Sequence, residues 1–395
     1  MDRMTALRVG LNLVHAVPGA GGTLTYAREL LAALFVVEPE TEVTAFVTAQ
    51  APAELVEVRY DGAVRWQRVP AGGRARPPVS SVLSLVSQWA IEPSLARRRR
   101  LDVLHGMANA VAPLSPVATV ATILDLIWLH HPQTMARLDR MAMQAVTRAS
   151  ARFADRLIAI SGAGRDDLVA TVGVDPARID VTPLGVRTGP AGRPATPAEE
   201  LRRRLDLGDG RIVLCVAQQR AHKNLDGLVR AMAILAAGDA TLVLPATATP
   251  YEDELRRLVA ARGLRQRVRF PGFVCGDDLE GLYDAASCFV LASKIEGFGL
   301  PIVEAMAHGL PVACSNVSAL PEVAGEAALL FDPYDDAAIA SAIDRLLADR
   351  ELASELVARG RERCAQLTWE RTAAATLASY RRAIAQREAG RRARR

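Results

Sequence analysis

The chain has 395 residues, of which 50% are hydrophobic, 23% charged and 5% aromatic, and its formal net charge is +4. This length favours two domains over a single core, and the composition excludes a disordered chain. The small charge excess and the few aromatic side chains argue against a nucleic-acid-binding surface, so we predict no nucleic-acid partner.

In the first half of the chain, apolar β-branched segments alternate with longer amphipathic ones, which is typical of βαβ units around a parallel sheet. Strands are predicted at residues 7–13, 42–48, 64–69, 102–105, 117–123 and 156–160. Helices are predicted at residues 23–37, 80–99, 134–154 and 162–172. A glycine-rich loop at residues 19–23 lies between the first strand and the first helix. By itself this loop is weak evidence for a phosphate site, because loops also carry glycine for turn geometry alone.

A cluster of glycine and proline at residues 188–197 predicts a linker, after which the alternation restarts. Strands are then predicted at residues 211–217, 240–245, 267–271, 287–291, 311–314 and 327–331, and from Asp335 onward the chain is predicted to be helical. We predict an N-terminal domain over residues 1–188, a linker over 189–200, a C-terminal domain over 201–366, a C-terminal helix over 367–388 packed on the N-terminal domain, and a basic tail over 389–395. Both domains are expected to be Rossmann-like, doubly wound α/β domains, with a cleft between them that the loops after the strands face.

Cysteine usage and hydropathy favour a cytoplasmic protein. The five cysteines are scattered, without a Cys-x-x-Cys pair or a histidine cluster at metal-ligand spacing, so a reducing compartment and no metal site are predicted. No run of eighteen apolar residues is present, and residues 7–14 are interpreted as a strand rather than a signal peptide. The basic runs at residues 97–100 and 387–395 are interpreted as solvated surface. The alternative is peripheral contact with the inner face of a membrane or with a lipid-linked acceptor.

The strongest motif, Glu-Gly-Phe-Gly-Leu-Pro-Ile-Val-Glu, occupies residues 296–304, after an apolar strand and at the start of a helix. Its glycines allow a tight turn and close approach of a ligand, and its proline fits the first helical position. The backbone amides that follow converge at the positive end of the helix, where they can bind diphosphate or sugar oxygens. Glu304 is placed on the first helical turn, where a carboxylate can accept hydrogen bonds from vicinal ribose hydroxyls, and Glu296 lies nearer the sugar. The donor-binding residues predicted here are Glu304, Gly297, Phe298, Gly299 and Leu300.

A second motif, residues 216–224, lies between a strand and a helix and contains one of only two lysines among 48 basic residues. Because a compact ammonium can act as a point charge on phosphate, Lys223 is predicted to neutralise a leaving diphosphate. Arg220 is the nearest candidate for a second cation, with a surface position as the even alternative, and Gln218 is assigned to donor binding. Asn224 is predicted to cap the next helix.

These motifs resemble those of the family-four retaining glycosyltransferases with the GT-B fold, most nearly its bacterial mannosyltransferase branch. The family's hallmark is two glutamates in this context, which Glu296 and Glu304 match, and the resemblance covers nearly the whole chain. Further landmarks similar to the family's are residues 102–105, 180–186, 270–273, 282–286 and 319–323. The resemblance implies that Glu304 binds the nucleotide ribose, that Glu296 contacts the transferred sugar, and that Gly21 and Gly22 face the donor phosphates.

The chain departs from the family at the end of the strand at residues 117–123. The family commonly has His-Asp-Leu where this chain has Leu124, Asp125 and a second leucine. Either another polar group takes the place of the histidine, or the transferred sugar lacks a hydroxyl there, as a deoxysugar would. Asp125, His105 and His130 are the predicted acceptor-side residues; for the two histidines a structural role is the alternative.

The resemblance implies front-face transfer with retention of anomeric configuration and no protein nucleophile. No Asp-x-Asp motif follows a strand, so neither a metal nor another cofactor is expected. The predicted donor is a nucleoside-diphosphate sugar, GDP-mannose first, with dTDP-, UDP- and GDP-deoxysugars left open. The acceptor is predicted to be a glycan, a lipid-linked sugar or a small natural product. Leu124 and Gln218 motivate the alternative, a nucleotide-sugar-binding protein that has lost catalysis.

Overall fold

The structure is a computed structural model that describes residues 6–18, 21–70, 86–132, 137–187 and 195–393. The chain divides into two compact units. Unit 1 comprises Met1–Gly185 and Trp369–Arg395, and unit 2 comprises Val186–Thr368. The C-terminal helix therefore belongs to the same unit as the first half of the chain.

The described residues of unit 1 contain seven strands in one parallel sheet, in the order β3-β2-β1-β4-β5-β6-β7. The strands are β1 (Arg8–Asn12), β2 (Glu42–Val47), β3 (Ala63–Arg68), β4 (Val103–Gly106), β5 (Ala118–Ile123), β6 (Arg156–Ala159) and β7 (Ile179–Val181). The α-helices are α1 (Gly22–Val37), α2 (Ala53–Val56), α3 (Glu92–Arg98), α4 (Ile127–His130), α5 (Arg137–Phe153), α6 (Gly162–Asp167) and, from the end of the chain, α15 (Trp369–Ala393). All six residues of β5 are buried, as expected for a parallel strand that is covered on both faces.

The described residues of unit 2 contain a second parallel sheet of six strands, in the order β10-β9-β8-β11-β12-β13. The strands are β8 (Ile212–Leu214), β9 (Thr241–Val243), β10 (Val268–Arg269), β11 (Cys288–Leu291), β12 (Val312–Ser315) and β13 (Ala328–Phe331). The helices are α7 (Ala198–Arg204), α8 (Leu225–Ile234), α9 (Pro250–Ala261), α10 (Asp277–Ala285), α11 (Leu300–Ala307), α12 (Leu320–Ala324), α13 (Asp336–Ala348) and α14 (Arg350–Gln366). The strand order reverses between β1 and β4 in the first sheet and between β8 and β11 in the second. This reversal is the topology of a doubly wound domain. The predicted fold class of two Rossmann-like domains with a C-terminal helix is confirmed.

The C-terminal helix α15 is part of the core of unit 1, where it packs against α1, β5 and β6. Its Tyr380 is fully buried, and the hydroxyl shares a hydrogen bond of 2.7 Å with Nδ1 of His105 on β4. The other ring nitrogen of His105 bonds the hydroxyl of Thr122 at 2.8 Å, and Thr122 in turn bonds Tyr26 on α1 at 3.1 Å. Burial lowers the pKa of His105 to about 3. This chain of hydrogen bonds satisfies polar groups that would be costly to bury without partners.

A second attachment of α15 is made at Asp180 on β7. Burial acts to raise the pKa of Asp180, but hydrogen bonds from Arg156 and Ser379 outweigh it, so that the pKa lies below its ordinary value. Arg156 contributes an ion pair at 2.5 Å and Arg382 of α15 another at 3.1 Å. Polar contacts on both strand and helix therefore join the chain terminus to the edge of the sheet.

The observed elements differ from the predicted ones mainly at short segments. Strand β7 was not predicted, because its three residues are too few for a clear alternation, and neither were the four-residue helices α2 and α4. Residues 188–194 of the predicted linker lie outside the described residues, while 198–200 form the first turn of α7. Residues 389–393 of the predicted basic tail continue α15. No helix within the described ranges is both long and apolar enough to cross a membrane.

Replacing Tyr380 with phenylalanine should lower the unfolding free energy of unit 1 by about 1–3 kcal/mol, because His105 loses a buried hydrogen-bond partner. All four tryptophans of the chain belong to unit 1, so tryptophan fluorescence during urea unfolding reports on this unit. The matched control is Tyr334→Phe, because Tyr334 is 68% exposed and lies in unit 2. Equal unfolding midpoints for the two variants would contradict a stabilising role of the network.

Candidate functional site

The candidate site of unit 2 lies at the carboxyl ends of β8 and β11. These two strands are direct neighbours, with Val213 opposite Cys288 and Leu214 opposite Phe289. They are also the place where the strand order reverses, so the chain leaves them towards opposite sides and opens a crevice between the loops that follow. Residues 216–224 lie in the loop after β8, and residues 296–304 run from the loop after β11 into the start of α11.

The two loops meet in an ion pair between Lys223 and Glu296. The ammonium of Lys223 donates to Oε1 of Glu296 at 2.6 Å, and the two side chains are 16% and 10% exposed. The hydroxyl of Ser293 donates to the same oxygen at 2.7 Å. The backbone N–H of Lys294 also donates to the carbonyl of His222 at 2.8 Å. The structure thus brings two predicted catalytic residues, 73 positions apart, into direct contact.

A turn from the neighbouring strand supports Glu296 from the other side. Ser318 follows β12 and adopts a left-handed backbone conformation, with φ of 51°. Its hydroxyl accepts a hydrogen bond of 2.9 Å from the backbone N–H of Glu296. Glu296 is therefore fixed at both its main chain and its side chain, by residues that follow three different strands.

The turn into α11 requires glycine at one position. Gly299 is the residue before the helix and has φ of 98°, where a Cβ atom would lie 2.5 Å from Cδ2 of Leu320. Phe298 and Leu300 are buried beside it, at 4% and 8% exposure. Pro301 is the second residue of α11, one position later than predicted, and its missing N–H still leaves no intrahelical bond unmade.

Glu304 lies in the second turn of α11, one turn later than predicted from the sequence. The helix begins at Leu300, so Glu304 is its fifth residue. Its Oε2 accepts a hydrogen bond of 3.0 Å from the hydroxyl of Tyr283 on α10. Burial raises the pKa of Tyr283 well above its ordinary value, and the charge of Glu304 raises it further. The phenol thus keeps its proton and acts as the donor.

The remaining residues of the first loop have separate roles. Arg220 is exposed, and its Nε donates to Oε1 of Gln218 at 3.0 Å. Asn224 stands at the position before α8, but its side chain makes no capping bond. Its amide instead donates to the carbonyl of Pro333 at 2.7 Å, so the predicted capping role is wrong. The backbone of Asn224 is left-handed, with φ of 55°, and its side chain bonds the Pro333 carbonyl rather than the helix N-terminus.

In unit 1 the predicted residues do not form one group. Gly21, with φ of 55°, and Gly22 begin α1, while residues 19 and 20 of the same loop lie outside the described residues. Asp125 accepts from the N–H of Ile127 at 3.0 Å, and His130 pairs with Asp167 at 2.8 Å.

The structure favours the structural alternative for His105. The residue has no exposed surface, and its two ring nitrogens are the ones bonded to Tyr380 and Thr122. Leu124, which stands where the resembled family commonly has histidine, is held by its backbone N–H, which donates to Oδ1 of Asn109 at 3.0 Å.

Among the described residues, no three His, Cys, Asp or Glu side chains are grouped closely enough to hold a metal ion. Four of the five cysteines, all in unit 2, are buried, and burial raises the pKa of Cys215 to about 12. These thiols are therefore poor nucleophiles.

Three residues at the site were not singled out from the sequence: Ser293, Ser318 and Tyr283. Ser293 is the second residue after a buried strand, where parallel sheets place ligand-facing residues, so its position in the sequence was an available signal. Tyr283 belongs to a recognised landmark at residues 282–286, but its partner on another helix could not be read from local pattern. No local signal marks Ser318.

Two family models match the chain. Residues 21–185 match the model described as "Glycosyl transferase 4-like domain". Residues 197–363 match the model described as "Glycosyl transferases group 1". The second range contains the whole candidate site of unit 2.

Individual proteins and structures are also similar. The chain is 33% identical to the O-antigen chain mannosyltransferase B of Escherichia coli, over 72% of this chain and 76% of that protein. It is 30% identical to the D-inositol 3-phosphate glycosyltransferase of Salinispora tropica, over 97% and 86%. The structure of sucrose-phosphate synthase from Thermosynechococcus elongatus superposes with a TM-score of 0.77 at 26% identity, covering 96% of this chain and 99% of that one.

Replacing Gly299 with alanine should lower the unfolding free energy of unit 2 by about 1–3 kcal/mol, through backbone strain and overlap with Leu320. All five cysteines belong to unit 2, so the rate at which a thiol reagent labels the four buried ones measures opening of this unit. Gly238→Ala is the control, since a Cβ there meets nothing within 4 Å. Labelling as slow as in the control would show that the turn tolerates a side chain.

Proposed function

Because the chain belongs to the group 1 glycosyl transferase family, we propose that it transfers a hexosyl or deoxyhexosyl group from a nucleoside-diphosphate sugar to a glycan, lipid-linked or natural-product acceptor. The protein is a retaining glycosyltransferase, as the family is. The observation that supports the donor class is the contact of Lys223 with Glu296 beside the start of α11. A cation, a carboxylate and a helix N-terminus within one crevice suit a ligand that carries both phosphate and hydroxyl groups.

In the proposed reaction, the bond between C1 of the sugar and the diphosphate oxygen breaks. The acceptor hydroxyl forms its bond to C1 on the same face, and the departing diphosphate takes the hydroxyl proton. Lys223 and the backbone amides at the start of α11 stabilise the charge that develops on the diphosphate. We propose that Arg220 assists them and that no metal ion is needed.

The two glutamates then bind the two ends of the donor. Glu296 contacts hydroxyls of the transferred sugar, because its carboxylate is already held beside the cation that receives the diphosphate. Glu304 binds the ribose, since a carboxylate can accept hydrogen bonds from two vicinal hydroxyls. Gln218, Gly297, Phe298 and the turn at Gly299 complete the proposed donor site, with Gly21 and Gly22 as further candidates from unit 1.

The relatives support a first choice of sugar. One is named a mannosyltransferase, so GDP-mannose is the first donor to test. The relative from Salinispora tropica is named for D-inositol 3-phosphate, which makes inositol phosphate a second acceptor class beside glycans. Leucine at position 124 keeps a deoxysugar donor among the candidates. Asp125 and His130 are the acceptor-side candidates in unit 1.

The proposal is tested first by thermal unfolding with GDP-, UDP-, ADP- and dTDP-sugars, because a ligand that binds only the folded state raises the midpoint. A shift with one nucleotide identifies the donor class. Absence of a shift with all four would count against a nucleotide-sugar donor. A shift without product formation from any acceptor would favour a binding protein that has lost catalysis.

Glu304→Ala should weaken binding of the preferred nucleoside diphosphate by at least roughly tenfold to a hundredfold, because even one hydrogen bond to a carboxylate is worth about 1.5–3 kcal/mol. Isothermal titration calorimetry measures the affinity. Glu351→Ala, on an exposed turn of α14 in the same unit, is the matched control. Unchanged affinity in Glu304→Ala would remove the ribose assignment.

Lys223→Ala should reduce turnover on the order of a hundredfold or more, because the ammonium stabilises charge that develops on the leaving group. Release of nucleoside diphosphate measures turnover, with EDTA present to test the metal-free proposal. Lys294→Ala is the control, since Lys294 is the other lysine of the chain and lies 5.7 Å from the ring of Tyr334. Wild-type rates in Lys223→Ala, or inactivation by EDTA that Mg²⁺ reverses, would refute this mechanism.

A further inference from the structure

Glu304 is contacted by a polar cluster that joins α10 to α11. Tyr283 on α10 is 2% exposed, and its hydroxyl donates to Oε2 of Glu304 at 3.0 Å. The ring of Tyr283 is stacked on the ring of His308, with centroids 4.9 Å apart and planes inclined by 13°. His308 follows Glu304 by one helical turn, and its backbone N–H donates to the Glu304 carbonyl at 3.1 Å.

His308 is itself held by carboxylates of α10. Its Nδ1 bonds Oδ1 of Asp284 at 2.7 Å, and its Nε2 lies 3.1 Å from Oε2 of Glu280. Tyr283 and Asp284 lie three and four positions after Glu280, so all three residues lie on the same side of α10. The imidazole ring is therefore bonded at both edges and presents its face to Tyr283.

We propose that Tyr283, braced by His308, is a positioning residue that sets the orientation of the Glu304 carboxylate and thereby the recognition of the donor's ribose. This inference rests on the proposed function, because it takes Glu304 as the ribose-binding residue. Tyr283 acts through Glu304 and is not assigned any contact with substrate.

The physical reason is the freedom of a glutamate side chain. Three rotatable bonds separate the carboxylate from the helix, and holding such a side chain in one rotamer costs conformational entropy. The buried phenol of Tyr283 bonds one carboxylate oxygen of Glu304 before the donor arrives. The glutamate side chain therefore loses less conformational entropy when the donor binds. Simultaneous hydrogen bonds to the 2′- and 3′-hydroxyls demand a defined carboxylate plane, whereas one bond tolerates rotation.

Tyr283→Phe removes only the hydroxyl and keeps the ring that stacks on His308. It should weaken the binding of UDP or GDP, whichever binds the wild type more tightly, by about three- to tenfold. The 2′-deoxy counterpart, 2′-deoxy-UDP or 2′-deoxy-GDP, offers one hydroxyl of the pair, so its affinity should change less. The ratio of the two affinities should therefore fall, which a general loss of stability would not produce.

The matched control is Tyr251→Phe. Tyr251 lies on α9 of the same unit and donates a hydrogen bond of 2.7 Å to Oδ1 of Asp226. Tyr251→Phe therefore removes an equivalent tyrosine–carboxylate bond elsewhere in the unit. It should leave the affinity ratio at the wild-type value. A second test combines Tyr283→Phe with Glu304→Ala, where removal of the hydroxyl should have no further effect on affinity because its partner is absent.

Titration calorimetry of these variants separates the outcomes. A wild type that binds none of UDP, GDP, ADP and dTDP would overturn the proposed function itself. A wild type that binds only dTDP, which lacks the 2′-hydroxyl, would overturn the positioning role alone. A wild type that prefers the ribonucleotide, together with a Tyr283→Phe variant that keeps the full preference, would overturn the positioning role alone. An additive effect of the two substitutions in the double variant would also overturn it, because the tyrosine would then act independently of Glu304.

Discussion

The parallel pairing of β8 with β11 determines where the site of unit 2 is assembled. These strands lie side by side although 73 residues separate the contacting side chains that follow them. All strands of a parallel sheet end at one edge, and at this pair the chain leaves in opposite directions. The ion pair of Lys223 with Glu296 can form only because of that neighbourhood. The start of α11, the positive end of its helix dipole, directly follows the loop that contains the glutamate.

Each of the two glutamates accepts a hydrogen bond from a hydroxyl group. Ser293 donates to Glu296 and Tyr283 donates to Glu304. Carboxylates held in this way lose less conformational freedom when a ligand binds. For a reaction in which the protein supplies position and charge, such preorganisation is the main contribution that side chains can make.

Unit 1 uses buried polar groups for a different purpose. The hydrogen bonds from Tyr26 through His105 to Tyr380 connect α1, the sheet and α15 in a region without exposed surface. They stabilise the attachment of a helix that comes from the opposite end of the chain. A histidine in such a network is held by the structure, and its lowered pKa follows from burial.

The sequence by itself determined the features that depend on neighbouring residues. Hydrophobic alternation identified two α/β domains, and the spacing of Glu296, Gly299 and Glu304 identified the strand-to-helix turn and the family. Only the tertiary structure decided which distant residues meet. Tyr380 bonds His105 across 275 positions, and Tyr283 reaches Glu304 from another helix. Such pairs depend on strand order and helix packing, which local patterns do not encode. For this reason His105, predicted at the acceptor side, lies within the core, and Tyr283, which bonds Glu304, was not recognised from the sequence.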